Sequence, residues 1–115
     1  MENKRNFFRV DIYGMPVTIL VTRDGVRETH EGQLRDISGS GISFYMSNQI
    51  ELEEGEVQWI DFTLENTSFQ SEFKIVRKQQ SHAKSLYACE FKEMSDRESA
   101  KISAILLKLD AIRRK

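Results

Sequence analysis

Residues 9–37 read RVDIYGMPVTILVTRDGVRETHEGQLRDI, and the fold class turns on this stretch. Val10, Ile12, Val17, Ile19 and Val21 give residues 9–23 the character of a β-strand, because branched side chains pack well on a pleated surface. Asp24-Gly25 then supplies a pair that tolerates positive φ, as a two-residue hairpin turn requires. Residues 26–37 return as a more polar strand. With the turn at Asp24-Gly25, antiparallel pairing sets residue 13 opposite 36 and residue 9 opposite 40. A β-bulge near Gly14 or Pro16 would shift that register by one or two.

Four further runs alternate with period two. Residues 42–47 set Ile42, Phe44 and Met46 against Ser43, Tyr45 and Ser47. Residues 56–64 align Ile60, Phe62 and Leu64, residues 69–77 align Phe69, Phe73 and Ile75, and residues 86–91 align Tyr87, Cys89 and Phe91. Six such runs predict a half-buried antiparallel sheet, and closure into a barrel removes its edges. The final segment changes period. Ser95 and Glu98 have capping-box spacing, and Ile102, Ile105, Leu106, Leu109 and Ile112 follow at steps of three and four. This predicts one amphipathic helix over 96–113, whose stripe must cover the open end of the barrel or a partner chain. The expected architecture is mainly β: a six-stranded antiparallel β-barrel with a C-terminal α-helix. A single domain over 9–115 would follow a basic arm, residues 1–8, expected to be mobile because only Phe7 and Phe8 could anchor it.

Composition agrees with one small soluble domain. Val, Ile, Leu and Phe make up 31 of 115 residues, enough for a core without disulfide or metal. The single cysteine, Cys89, excludes an internal disulfide and any Cys/His zinc site, and suits a reducing cytoplasm. No apolar run reaches the length of a membrane helix, and Arg9 and Asp11 interrupt any secretory h-region. The net charge is −1, yet residues 1–9 carry +2, residues 101–115 carry +4, and the middle carries −7. That distribution argues against a long nucleic acid laid across a face and suits a small anion held at one terminus. Arg113, Arg114 and Lys115 complement the negative end of the helix dipole.

Catalysis finds no constellation. His82 and Cys89 are an odd number of residues apart, so one continuous strand would point them to opposite faces. His30 lies in a polar hairpin arm. Glu51, Glu53, Glu54 and Glu56 surround Gly55 as a solvated acidic loop without the turn chemistry of a calcium site. The chain reads as a non-enzyme. Two clusters remain. Arg5-Asn6-Phe7-Phe8-Arg9, preceded by Lys4, spaces two guanidinium forks roughly 13 Å apart when extended, a grip for phosphate or the O6/N7 edge of guanine. Taken alone it reads rather as a solvated basic arm, since Arg23 and Arg27 share the spacing and merely flank a turn. Asp36-Ile37-Ser38-Gly39-Ser40-Gly41 places Asp36 and Ser38 on one strand face, followed by small residues that permit a sharp bend. A carboxylate there can accept the paired N1–H and N2–H donors of guanine; alone, the run reads rather as an Asx/Ser turn linking two strands. The hairpin register brings both clusters to one end of the sheet, which describes a pocket for a guanine nucleotide.

Arg5-x-x-x-Arg9 followed 27 residues later by Asp36-x-Ser38-x-x-Gly41 resembles the two-part signature of the PilZ domain family. Tyr87-Ala88-Cys89-Glu90-Phe91 and the Lys74–Arg77 strand also sit where that domain has such segments, so the resemblance spans essentially the whole chain. It implies a bacterial cytoplasmic receptor for cyclic di-GMP, without cofactor or metal. Arg5 and Arg9 would clamp phosphate and guanine edges, Asp36 and Ser38 would bond a guanine, and Gly41 would leave room for it. Lys4 would influence whether one messenger or a stacked pair binds, and Arg77 would pack its flat side chain on a base. Ordering of the arm on the ligand would present a changed surface to a protein partner, for which flagellar motor and polysaccharide-synthesis machinery are candidates. The alternatives are a PilZ-like interaction module that binds no nucleotide, a small barrel for single-stranded nucleic acid, and a homodimer through the helix.

Overall fold

The computed structural model describes residues 10–11 and 14–113, with side chains over 14–111. The basic arm, with Lys4, Arg5, Phe7, Phe8 and Arg9, lies outside the described residues, as do Ile12, Arg114, Lys115 and the side chains of Val10, Ile112 and Arg113. The chain forms β1 (Val10–Asp11), β2 (Pro16–Arg23), β3 (Val26–Ile37), β4 (Gly41–Ser47), β5 (Val57–Leu64), β6 (Thr67–Gln80), β7 (Lys84–Lys92) and α1 (Asp96–Arg113). Every pairing is antiparallel. The order β3-β2-β5-β6-β7-β4 returns to β3, so the six long strands close into a barrel, and two-residue β1 adds to β3.

The opening hairpin forms as its sequence dictates. Arg23 pairs with Val26, and Asp24 and Gly25 hold φ values of 53° and 78°. The register to Pro16↔Gln33 follows from that turn, but β1 pairs Asp11 with Asp36 and Val10 with Ile37. The interruption around Gly14 and Met15 therefore moves the pairing by two, so Asp11 rather than residue 13 opposes Asp36. β3 serves both neighbours, pairing with β2 up to Gln33 and with β4 from Gln33 onward. Gly32 permits that handover: a Cβ there would lie 3.1 Å from the Tyr45 carbonyl oxygen and 3.2 Å from Val17 Cγ2.

Alternation then fills the interior. Val17, Ile19 and Val21 of β2, Ile42, Phe44 and Met46 of β4, Ile60, Phe62 and Leu64 of β5, and Phe69, Phe73 and Ile75 of β6 are all buried, with Tyr87 and Cys89 of β7. Phe44 is the aromatic centre, edge-on to Phe73 at 5.6 Å and tilted against Tyr87 at 5.8 Å. The Tyr87 hydroxyl accepts the buried Leu52 N–H at 3.2 Å. The Ser95 hydroxyl caps α1 by accepting the Glu98 N–H at 3.1 Å. Ile102 and Leu106 of the helix are fully buried in the same core, so the helical stripe covers the barrel.

The acidic loop is stitched to its surroundings. Glu56 receives Arg23 at 2.9 Å, Gln58 Nε2 at 2.8 Å and the Glu53 N–H at 2.8 Å, while Glu54 accepts the Lys78 N–H at 3.1 Å. Partial burial pushes the Glu56 carboxyl up, but these hydrogen bonds and the Arg23 charge outweigh it and hold the pKa below its ordinary value. A depressed folded-state pKa contributes stability above the unfolded pKa and loses it as pH falls through the folded one. The advantage of the parent over Glu56→Gln in urea-melt midpoint should accordingly be constant near neutrality and shrink on acidification. Phe44→Ala should cost ~3–5 kcal/mol in the same assay, because it empties the centre of the barrel.

Candidate functional site

A cavity of about 590 Å³ opens on the outer face where the C-terminal end of β3 meets β4, β7 and β6. Cross-strand register dictates its layout. Asp36 opposes Ser43, Ser43 opposes Ala88, and Ala88 opposes Arg77, giving one row across four strands. At about 4.8 Å per strand, the Cα atoms of Asp36 and Arg77 stand roughly 14 Å apart. Only a hydroxymethyl and a methyl group project between them. Gly41 extends this low floor beside Ser43, and its partner on β7 is Glu90, which also lines the cavity.

Two single-residue irregularities aim the walls. Between Leu34 and Asp36 the β3–β4 register shifts, leaving Arg35 as the extra residue. Between Ile75 and Arg77 the β6–β7 register shifts, leaving Val76 as the extra residue. Strict alternation would carry Asp36 inward after Leu34, and Arg77 inward after Phe73 and Ile75. Each bulge resets the phase, so both side chains reach the outer face. Arg35 lines the cavity as well, and its Nη1 donates to Asp36 Oδ2 at 3.3 Å. Arg77 makes no ion pair among the described residues.

The turn after β3 is locked by its own polar groups. Ser38 N–H donates to the Gly41 carbonyl at 2.9 Å, and Ser38 Oγ accepts the Ser40 N–H at 3.2 Å. Phe91 N–H donates to the Ser40 carbonyl at 3.0 Å, tying the turn to β7. Ser38 is buried and turns onto Ser40, whereas Asp36, Ser40 and Gly41 line the cavity itself. Of the seven site residues expected from sequence, Asp36, Gly41 and Arg77 converge on one cavity and Ser38 braces its turn. Lys4, Arg5 and Arg9 lie outside the described residues. Sequence reading missed Arg35 and Glu90, and also Ser43 and Ala88, whose smallness makes the floor. Their period-two positions on β4 and β7 were visible, but not that these strands are neighbours.

Three comparisons with known proteins bear on this arrangement. Residues 3–108 match the family model of the PilZ domain. The chain belongs to the PilZ domain family. No curated protein matches the sequence. Among solved structures, YcgR from Escherichia coli in complex with c-di-GMP superposes with a TM-score of 0.74 at 17% identity, covering 96% of this chain and 48% of that one. The isolated PilZ domain of the same protein with c-di-GMP gives 0.72 at 16% identity, covering 97% and 95%. MotI, the inhibitor of motility from Bacillus subtilis, gives 0.76 at 16% identity, covering 96% and 52%. This PilZ domain thus spans about half the length of the YcgR complex and MotI chains that it matches, and the likeness establishes the barrel-plus-helix fold.

The remaining reactive group of the site is inert. Cys89 faces the core from β7 and touches the cavity, and burial pushes its thiol pKa far up, so it stays protonated at neutral pH. His82 lies in the turn between β6 and β7, off the strand that carries Cys89. Alkylation of Cys89 by iodoacetamide at pH 8 should be slow in the native PilZ domain and should accelerate by orders of magnitude in urea. Rapid native labelling, read by mass spectrometry, would contradict this placement.

Proposed function

We propose that this PilZ domain is a receptor for cyclic di-GMP, whose N-terminal arm becomes ordered on the ligand and presents a changed surface to a protein partner. The observation that carries the reading is the convergence of Asp36, Gly41 and Arg77 on one cavity, at the point where β1 delivers the chain. Val10 pairs with Ile37 and Asp11 with Asp36, so β1 runs beside this wall of the cavity. Family membership and the c-di-GMP complexes of YcgR support the same ligand.

The chemistry assigns distinct tasks. Asp36 accepts the N1–H and N2–H of a guanine, the pair of donors that distinguishes guanine from adenine. Gly41, Ser43 and Ala88 let the flat base lie close to the sheet. Ser38, which the family signature places at the guanine, holds the turn that presents Gly41. Arg5 and Arg9 fork onto phosphate oxygens and the guanine O6/N7 edge, and Lys4 adds charge beside the dianion. Arg77 lays its guanidinium plane on the base from the opposite wall.

Calorimetric titration tests the assignment and its stoichiometry together. A charge-assisted hydrogen bond contributes ~1.5–3 kcal/mol, so Arg9→Ala and Asp36→Ala should each weaken cyclic di-GMP binding roughly ten- to a hundredfold. Ala88→Phe should abolish it by filling the floor while leaving the urea melt nearly unchanged. Unaltered affinity in Arg9→Ala would overturn these roles. A parent protein that takes up no cyclic di-GMP would make the domain an interaction module instead.

A further inference from the structure

The chain's single tryptophan is not in the nucleotide cavity. Trp59 projects outward from β5 between buried Gln58 and Ile60, and 39% of it is exposed. Its register partners are Leu20 on β2 and Glu72 on β6. With Glu72, Lys92, Glu93, Met94 and Glu98 it lines a separate cavity of about 220 Å³. An indole left open on a sheet face is the kind of residue that anchors protein contacts, since tryptophan and arginine dominate interface energetics.

The lining chemistry states what the anchor receives. Three carboxylates face one ammonium, and none of Glu72, Glu93 and Glu98 joins an ion pair among the described residues. The cavity has room for one long side chain and not for a nucleotide, which the acidic rim would also repel. A guanidinium matches both surfaces at once: its plane stacks on the indole, and its edge forks onto carboxylate oxygens. We propose that the Trp59 cavity docks an arginine-bearing segment of a partner protein, with the guanidinium on the indole and its N–H groups on Glu72 and Glu98. This site stands on its own residues and does not depend on the nucleotide reading.

Because Trp59 is unique, its fluorescence reports the site directly in the full chain. Titration with a short acetylated peptide alternating arginine with alanine should change the emission saturably, and the same peptide with glutamate for arginine should not. Glu72→Gln/Glu98→Gln, which keeps the reporter, should weaken the arginine peptide roughly fivefold and leave cyclic di-GMP titrations unchanged. No saturable response up to millimolar arginine peptide would overturn the proposal, as would equal affinity in the double variant. Emission that shifts with protein concentration in the absence of peptide would also overturn it, by making a second copy the occupant.

Discussion

A β-strand can offer each side chain to one face only, and the site of this protein depends on two places where that rule is broken. Along β3 the inward residue Leu34 is followed two positions later by Asp36; along β6 Ile75 is followed two positions later by Arg77. Unbroken pairing would drive a carboxylate and a guanidinium into an apolar core, at a cost of several kcal/mol each even after relaxation. The extra residues Arg35 and Val76 remove that conflict and place both groups on the outer face. Ile37 then resumes the inward phase, so the bulge changes the aim of Asp36 without sacrificing core packing. The closed barrel holds the two bulges at a set separation, because β4 and β7 lie between them and have no freedom to splay.

What lies between the walls matters as much as the walls. Ser43 and Ala88 are the outward residues of β4 and β7 in the Asp36–Arg77 row, and both are small. Larger residues there would fill the concavity, since a sheet face is otherwise convex and evenly studded. The inner face shows the opposite economy, with Phe44, Phe73 and Tyr87 filling the centre and α1 closing the barrel through Ile102 and Leu106. One sheet thus carries large residues inside and small ones outside at the same level of the barrel, which sets the cavity over the aromatic centre of the core.

Much of this was legible in the sequence because it is local. Asp24-Gly25 announces its turn through two residues that accept positive φ, Ser95 announces the helix start, and alternation separates core from surface in β4 and β5. Glu65-Asn66 makes an equally tight turn, with φ values of 47° and 68°, but glutamate carries no such signal. The bulges were illegible for a related reason. Arg35 and Val76 are ordinary residues, and a bulge that adopts helix-like backbone angles needs no glycine. The cavity row was illegible because it joins residues 36, 43, 88 and 77, whose adjacency follows from strand order rather than spacing. The motif Asp36-x-Ser38-x-x-Gly41 marks a turn that borders the cavity; Arg35 and Glu90 stayed hidden because only the folded neighbourhood brings them to it.

Asp36 shows how a carboxylate is kept at depth on a sheet face. It is only 6% exposed, and a carboxylate at that depth demands hydrogen-bond donors. Arg35, made available by the bulge itself, supplies one at 3.3 Å, longer than a well-formed charge-assisted bond. Arg35 is itself substantially exposed, so solvent weakens its hold on Asp36. The same bulge that turns Asp36 outward thus also provides one of the donors that a carboxylate at this depth requires.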